Sequence, residues 1–191
     1  MVIRQIPLHP TFESITLQAL LWEYPPIAED ELFESVRPAV IIVPGGGYLS
    51  IDAQRAEKIA LSELAKGNQV FILNYRVGAP FAHLPMPAID LAEAIAHIEG
   101  HATLYGVDTT RVQLLGEGTG AHLIKVFEAQ QQNQLRHMLR YENPIVDLVA
   151  FKKQLMKWGA EGHALFEQLC MACFGTLSPT DETLSAWSYD L

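Results

Sequence analysis

The first residues alternate apolar and polar positions. The stretches VIRQIPL (2–8) and SITLQALLWEY (14–24) have the period of two expected of strands with one buried face, so they predict two antiparallel strands. PPIAEDELFES, which follows, is an acidic connection opened by two prolines. PAVIIVPGGGY (38–48) then breaks the alternation with a continuous Val/Ile-rich run that ends in glycines, the pattern of a central strand buried on both faces. Residues 53–66 return to helical spacing and stop at Gly67 and Asn68. QVFILNYRV (69–77) predicts another strand, 78–87 a proline-rich loop, and 88–104 a long amphipathic helix. After YGVDTTRVQLLGEG, which holds a turn and an apolar strand, 119–135 reads as a helix with QQQNQ as its solvated end. A short strand lies within HMLRYENPIVDL (137–148), residues 150–175 are helical, and 176–191 start one further helix.

Strand and helix alternate from residue 38 onward. That order predicts an α/β fold in three layers, with a mostly parallel sheet of about six strands, the two N-terminal ones antiparallel, and helices on both faces. The chain, 191 residues long, is expected to form one domain (1–191) with a helical C-terminal region over 150–191.

Composition adds limits. Hydrophobic residues make up 49% and charged residues 18%, the balance of a chain with a packed core, and the net charge of −9 argues against nucleic acid or an anionic membrane as a partner. No apolar run reaches membrane-spanning length and the N-terminus lacks a secretory pattern, so a cytoplasmic protein is expected. Cys170 and Cys173 are three apart within a predicted helix, among Leu, Met and Phe, which suits core packing better than a redox pair.

Two glycine turns carry the candidate chemistry, each at the C-terminal end of a predicted strand, where open parallel sheets bind ligands. In PGGGYLS (44–50) consecutive glycines let backbone N–H groups converge on a ligand, as an oxyanion hole or a phosphate cradle does; the lysine and spacing of a phosphate loop are missing. In GEGTG (116–120) the glycines have the spacing of a G-x-S-x-G nucleophile elbow, with Gly118 at the apex.

These pieces, in order, resemble the α/β-hydrolase superfamily, within the acetyl-esterase and acetyl-xylan-esterase-like carboxylesterases (lipase/esterase). VIIVPGGGY resembles the H-G-G-G-[WY] loop and GEGTGAHL resembles G-x-S-x-G-G-H-L; VFILNYRVG, AIDLAEAIAHI…YGVDTTRVQLLG and YENPIVDL fill the spaces around them, over about residues 38–148. The resemblance implies the α/β-hydrolase fold, ester hydrolysis, and an oxyanion hole from the N–H groups of Gly46, Gly47 and Thr119. It also exposes departures. The loop histidine is Pro44 and the nucleophile position is Gly118, while the family's acid and histidine fall after two further strands, past Leu191. The expectation is therefore an esterase homologue truncated at its C-terminus and without the Ser-His-Asp triad. The alternatives are an active carboxylic-ester hydrolase with a non-standard site, such as Glu117 with a water or residues from a partner, and a non-enzymatic interaction scaffold.

Other polar residues have structural readings. Thr119, one past the apex, is read as a helix-opening threonine that satisfies backbone N–H groups. Glu117 is read as a carboxylate favoured near a helix N-terminus, and both residues stay candidates for ligand contact. His122 is expected to be buried and satisfied, Arg76 to bridge a strand end to a loop, and Ser50 to cap a turn. His83 is a candidate for substrate contact, and His97 and His101 share a helix face without a third metal ligand. Ser178 and Ser185 match no nucleophile context. No metal and no cofactor are expected. The expected ligand is a small ester or an acyl- or sugar-like molecule. The strand near 138–146 is expected to be an edge, covered by Trp158, Phe166, Phe174 and Trp187 or by a second copy in a homo-oligomer.

Overall fold

The structure is a computed structural model that describes residues 1–23, 36–79, 81–130, 138–142 and 148–188, with only the backbone of 130 and 138–142. The acidic connection, most of QQQNQ, the end of the last predicted strand and the final residues lie outside the described residues. Among the described residues the strands are β1 (Val2–Pro7), β2 (Thr16–Leu21), β3 (Arg37–Val43), β4 (Gln69–Asn74), β5 (Val107–Glu117) and β6 (Met138–Glu142). The helices are α1 (Ala53–Ala65), α2 (Met86–Gly100), α3 (Ala102–Tyr105), α4 (Thr119–Gln130), α5 (Leu148–Met156), α6 (Ala160–Phe174) and α7 (Asp181–Ala186).

The strands form one sheet in the order β1-β2-β4-β3-β5-β6. β2 pairs antiparallel with both β1 and β4, and β4, β3, β5 and β6 run parallel to one another, as the pattern predicts. β3 lies near the middle and is buried from Ala39 to Val43. Its residues divide by parity: Val40 and Ile42 face α1, with Ala56, Ala60 and Leu64, while Ala39, Ile41 and Val43 join the larger cluster of α2, α4 and α6.

Local chemistry sets the helix limits. The Asp52 carboxylate caps α1 by accepting from the Arg55 amide at 3.1 Å. The helix expected over 88–104 is two helices, because His101 leaves helical geometry with ψ at 20°. The helical stretch expected over 150–175 is also broken: Gly159 has φ at 64° and separates α5 from α6. Thr180 caps α7 through its hydroxyl, which accepts from the Thr183 amide at 3.1 Å.

The C-terminal aromatics divide unevenly. Phe166 is buried, Phe174 and Trp187 pack partly buried against the larger cluster, and Trp158 is 59% exposed.

Candidate active site

β5 ends at Glu117, Gly118 makes the turn, and α4 begins at Thr119. Gly118 has φ at 52°, in the left-handed region that L side chains rarely adopt. Its carbonyl accepts from the amides of Ala121 and His122 at 3.1 and 3.3 Å, so the turn leads directly into the helix. Gly120 holds α4 against β3: a Cβ there would lie 1.9 Å from the Val43 carbonyl oxygen. The shape of a nucleophile elbow is therefore kept, with a hydrogen where the side chain of the nucleophile would stand.

The glycine turn after β3 closes over this elbow. The Gly46 carbonyl accepts from the amides of Leu49 and Ser50, each at 3.2 Å. Tyr48 follows with φ at 60°, and its hydroxyl is 2.7 Å from Nδ1 of His122. The Gly47 N–H donates to the Thr119 hydroxyl at 3.1 Å. The Tyr75 hydroxyl donates to the Pro44 carbonyl at 2.7 Å. The Thr119 hydroxyl gives a lone pair to the Gly47 N–H, and the residue is 1% exposed. Its hydroxyl satisfies a backbone N–H in the glycine turn across the sheet, which local helix-capping rules do not foresee. One of the three N–H groups assigned to the oxyanion hole is consequently engaged within the chain. Burial raises the Tyr75 pKa further above that of a free phenol, so its O–H stays a donor.

The other candidates are engaged too. Glu117 is paired with Arg55 of α1 at 2.6 Å, and its side chain is 11% exposed. His122 is fully buried. Its Nε2 hydrogen-bonds the Trp187 carbonyl, which can only accept, so Nε2 carries the proton and Tyr48 donates to Nδ1. Burial lowers its pKa to about 4, and the bond to Trp187 opposes that shift in part. The one lone pair of this neutral imidazole, on Nδ1, is taken by the Tyr48 hydroxyl.

The C-terminal helices supply this cover. Leu148, Phe166, Cys173 and Leu184 pack over Tyr48, Thr119 and His122, and the space left among them is about 10 Å³, at most enough for one water. The Ser188 hydroxyl ties α5 to α7, accepting from the Leu148 amide at 2.7 Å and donating to the Leu184 carbonyl at 2.8 Å. The sequence reading places the helices but not this role. The apolar spacing of Phe166, Leu169, Cys170 and Cys173 marks a face to be buried without naming the surface it meets.

The remaining residues fall as follows. Arg76 and the fully buried Asp90 form an ion pair at 2.5 Å that joins the end of β4 to α2. Hydrogen bonding to Asp90 holds the Arg76 pKa above its usual value. Ser50 is exposed and its hydroxyl leans back on the Gly46 carbonyl at 3.4 Å. His83 lies against Gly175 at the end of α6, with its ring 2.8 Å from where a Cβ would stand. His97 and His101 stack at 4.2 Å, and Nε2 of His97 is 2.9 Å from the Tyr105 hydroxyl. Burial and the neighbouring His101 lower the His97 pKa. Cys170 and Cys173 are buried free thiols in the larger core cluster, and burial pushes Cys170 up to about 11. Ser178 and Ser185 are exposed.

Comparison with known proteins agrees with this geometry. The BD-FAE family model matches residues 27–157, more than half of the chain. MGS-M1, an α/β hydrolase from a Medee basin deep-sea metagenome library, is 28% identical with a TM-score of 0.66, over 76% of this chain and 58% of that one. The acetyl ester-xyloside bifunctional hydrolase of Caldicellulosiruptor lactoaceticus is 22% identical with a TM-score of 0.69, over 97% of this chain and 68% of that one. The carboxylesterase Cest-2923 of Lactobacillus plantarum has a TM-score of 0.66 at 20% identity, over 86% and 62% of the two chains. The last two, at that identity, speak for the fold. Among curated proteins, Endo-1,4-beta-xylanase B of Butyrivibrio fibrisolvens is 26% identical over 90 residues, which are 46% of this chain and 14% of that protein. The chain spans less than two thirds of the length of MGS-M1 and of Cest-2923.

Proposed function

The chain belongs to the BD-FAE family, with the α/β-hydrolase fold, and from that premise we propose that it is a member in which ester hydrolysis through the elbow has lapsed. The observation that carries this reading is the Thr119–Gly47 hydrogen bond beside a glycine apex. A serine esterase needs a nucleophile in reach of a base and free N–H donors for the developing oxyanion. Here the apex offers no hydroxyl, the neighbouring Thr119 hydroxyl is engaged by the Gly47 N–H, and the Nδ1 lone pair of His122 is taken by Tyr48. Glu117, the alternative base, is neutralised by Arg55. The covering helices support the same reading, because Leu148, Phe166 and Leu184 leave little open space beside Thr119. Any ligand kept from the family's chemistry is an ester or a sugar-like molecule bound without turnover.

A short-chain p-nitrophenyl ester assay on the purified chain tests this. We expect no turnover above buffer, no labelling by a fluorophosphonate, and no serine-dependent turnover in Gly118→Ser, since that change supplies neither a base nor a free Gly47 N–H. Turnover that survives repurification, or labelling of any serine in the unaltered chain, would overturn the reading.

A further inference from the structure

The sheet edge that carries the elbow holds a second concavity beyond the glycine turn, at the ends of β2 and β4. Its volume is about 370 Å³, in the range of small-molecule sites. Phe12 and Ser14 reach it from the β1–β2 turn, Ile51 from the chain after the glycine turn, Asn74 and Arg76 from the end of β4, and Phe81 from the following loop.

Two features set the chemistry. The first is aromatic. Phe12 and Phe81 meet edge to face with centroids 5.9 Å apart, and they remain 36% and 54% exposed. The Arg76 guanidinium lies 5.6 Å from the centroid of the Phe12 ring. Together they offer flat surfaces to a ring.

The second is polar. Arg76 gives Nε and Nη2 to Asp90, at 2.9 and 2.5 Å, and its Nη1 takes no hydrogen bond among the described residues. Asn74 gives Nδ2 to the Thr16 hydroxyl at 2.9 Å, and its Oδ1 accepts none among the described residues. Asn74 and Arg76 both line the cleft, from the last residue of β4 and the chain just after it. The cleft wall therefore carries one residue with a spare N–H donor and one with a spare carbonyl acceptor. Asp90 cancels the charge of Arg76, and Glu93 adds negative field there, so an anion gains little.

We propose that this cleft binds an uncharged, flat cyclic amide of the pyrimidine-base type. Its ring stacks on Phe81 with Phe12 at its edge, its carbonyl accepts from Arg76 Nη1, and its ring N–H donates to Asn74 Oδ1. The cleft lies beside the glycine turn, with Tyr75 between the two, and its occupancy does not depend on whether the chain hydrolyses esters.

The test is an amide-shift titration of the ¹⁵N-labelled chain with uracil. Saturable shifts confined to residues 74–77, Phe81 and the β1–β2 turn are expected, at an affinity on the order of millimolar for so small a ligand. Phe81→Ala, a change at an exposed side chain, is expected to weaken uracil roughly threefold to tenfold. 1,3-Dimethyluracil lacks the ring N–H, and orotate carries a carboxylate; each is expected to bind at least about fivefold more weakly. No saturable shift with uracil, equal binding of 1,3-dimethyluracil or orotate, or unchanged affinity in Phe81→Ala would overturn the proposal.

Discussion

His122, on the helix that follows the elbow, sits at a junction of three parts of the chain. Its ring joins Tyr48 in the glycine turn to the Trp187 carbonyl after α7. This tie is made by the neutral ring, and it has a pH dependence. An unfolded histidine titrates near 6.5 and the folded one near 4. Between those values the unfolded chain takes up a proton that the folded chain refuses. The contribution is therefore whole above about pH 6.5, shrinks as the pH falls, and levels out below about pH 4, after a loss on the order of 3 kcal/mol. Urea midpoints measured from pH 7.5 to 4.5 should fall, and His122→Gln should remove most of the fall. Equal slopes in the two proteins would show that another group carries it.

At the scale of elements, the contact between α4 and β3 fixes the elbow. Gly120→Ala places a methyl 1.9 Å from the Val43 carbonyl, a backbone atom that cannot step aside. We expect a loss on the order of 3 kcal/mol or more, read as a lowered thermal midpoint or as failure to fold. A variant as stable as the parent would mean that α4 can slide. This glycine was legible, since the G-x-x-x-G spacing is a local sequence feature. So were the six strands and their directions, because β3 and β4 read as buried runs and β1 and β2 as half-buried ones. The helix breaks at His101 and Gly159 were less legible: a short interruption changes the apolar spacing little, and the fit to neighbouring elements decides where it falls. The partners of the site residues were not legible. Thr119 and Gly47 are 72 positions apart, and His122 and Trp187 are 65. No local rule links such pairs, so the sequence reading finds the glycine turn and the elbow but not the bonds that tie them together.

At the scale of the molecule, the sheet has unequal sides. Among the described residues one side carries α2 and α4, with α6 packed into the same cluster; the other has α1, whose buried apolar side chains are Ala56, Ala60 and Leu64, with Ile59 packed partly buried beside them. Two of the three buried ones are single methyl groups, so the apolar contact of α1 with the sheet is small, and Leu64 contributes about 2 kcal/mol of it. The consequence concerns the order in which the protein opens. Native-state hydrogen exchange should show the α1 amides exchanging through an opening that leaves the sheet paired, well before those of β3 and α4, which wait for global unfolding. Equal protection on the two sides would show that α1 and the sheet open as one unit. The molecule then has a loose face and a firm one, and the firm one carries the elbow turn and the helices that pack beside it.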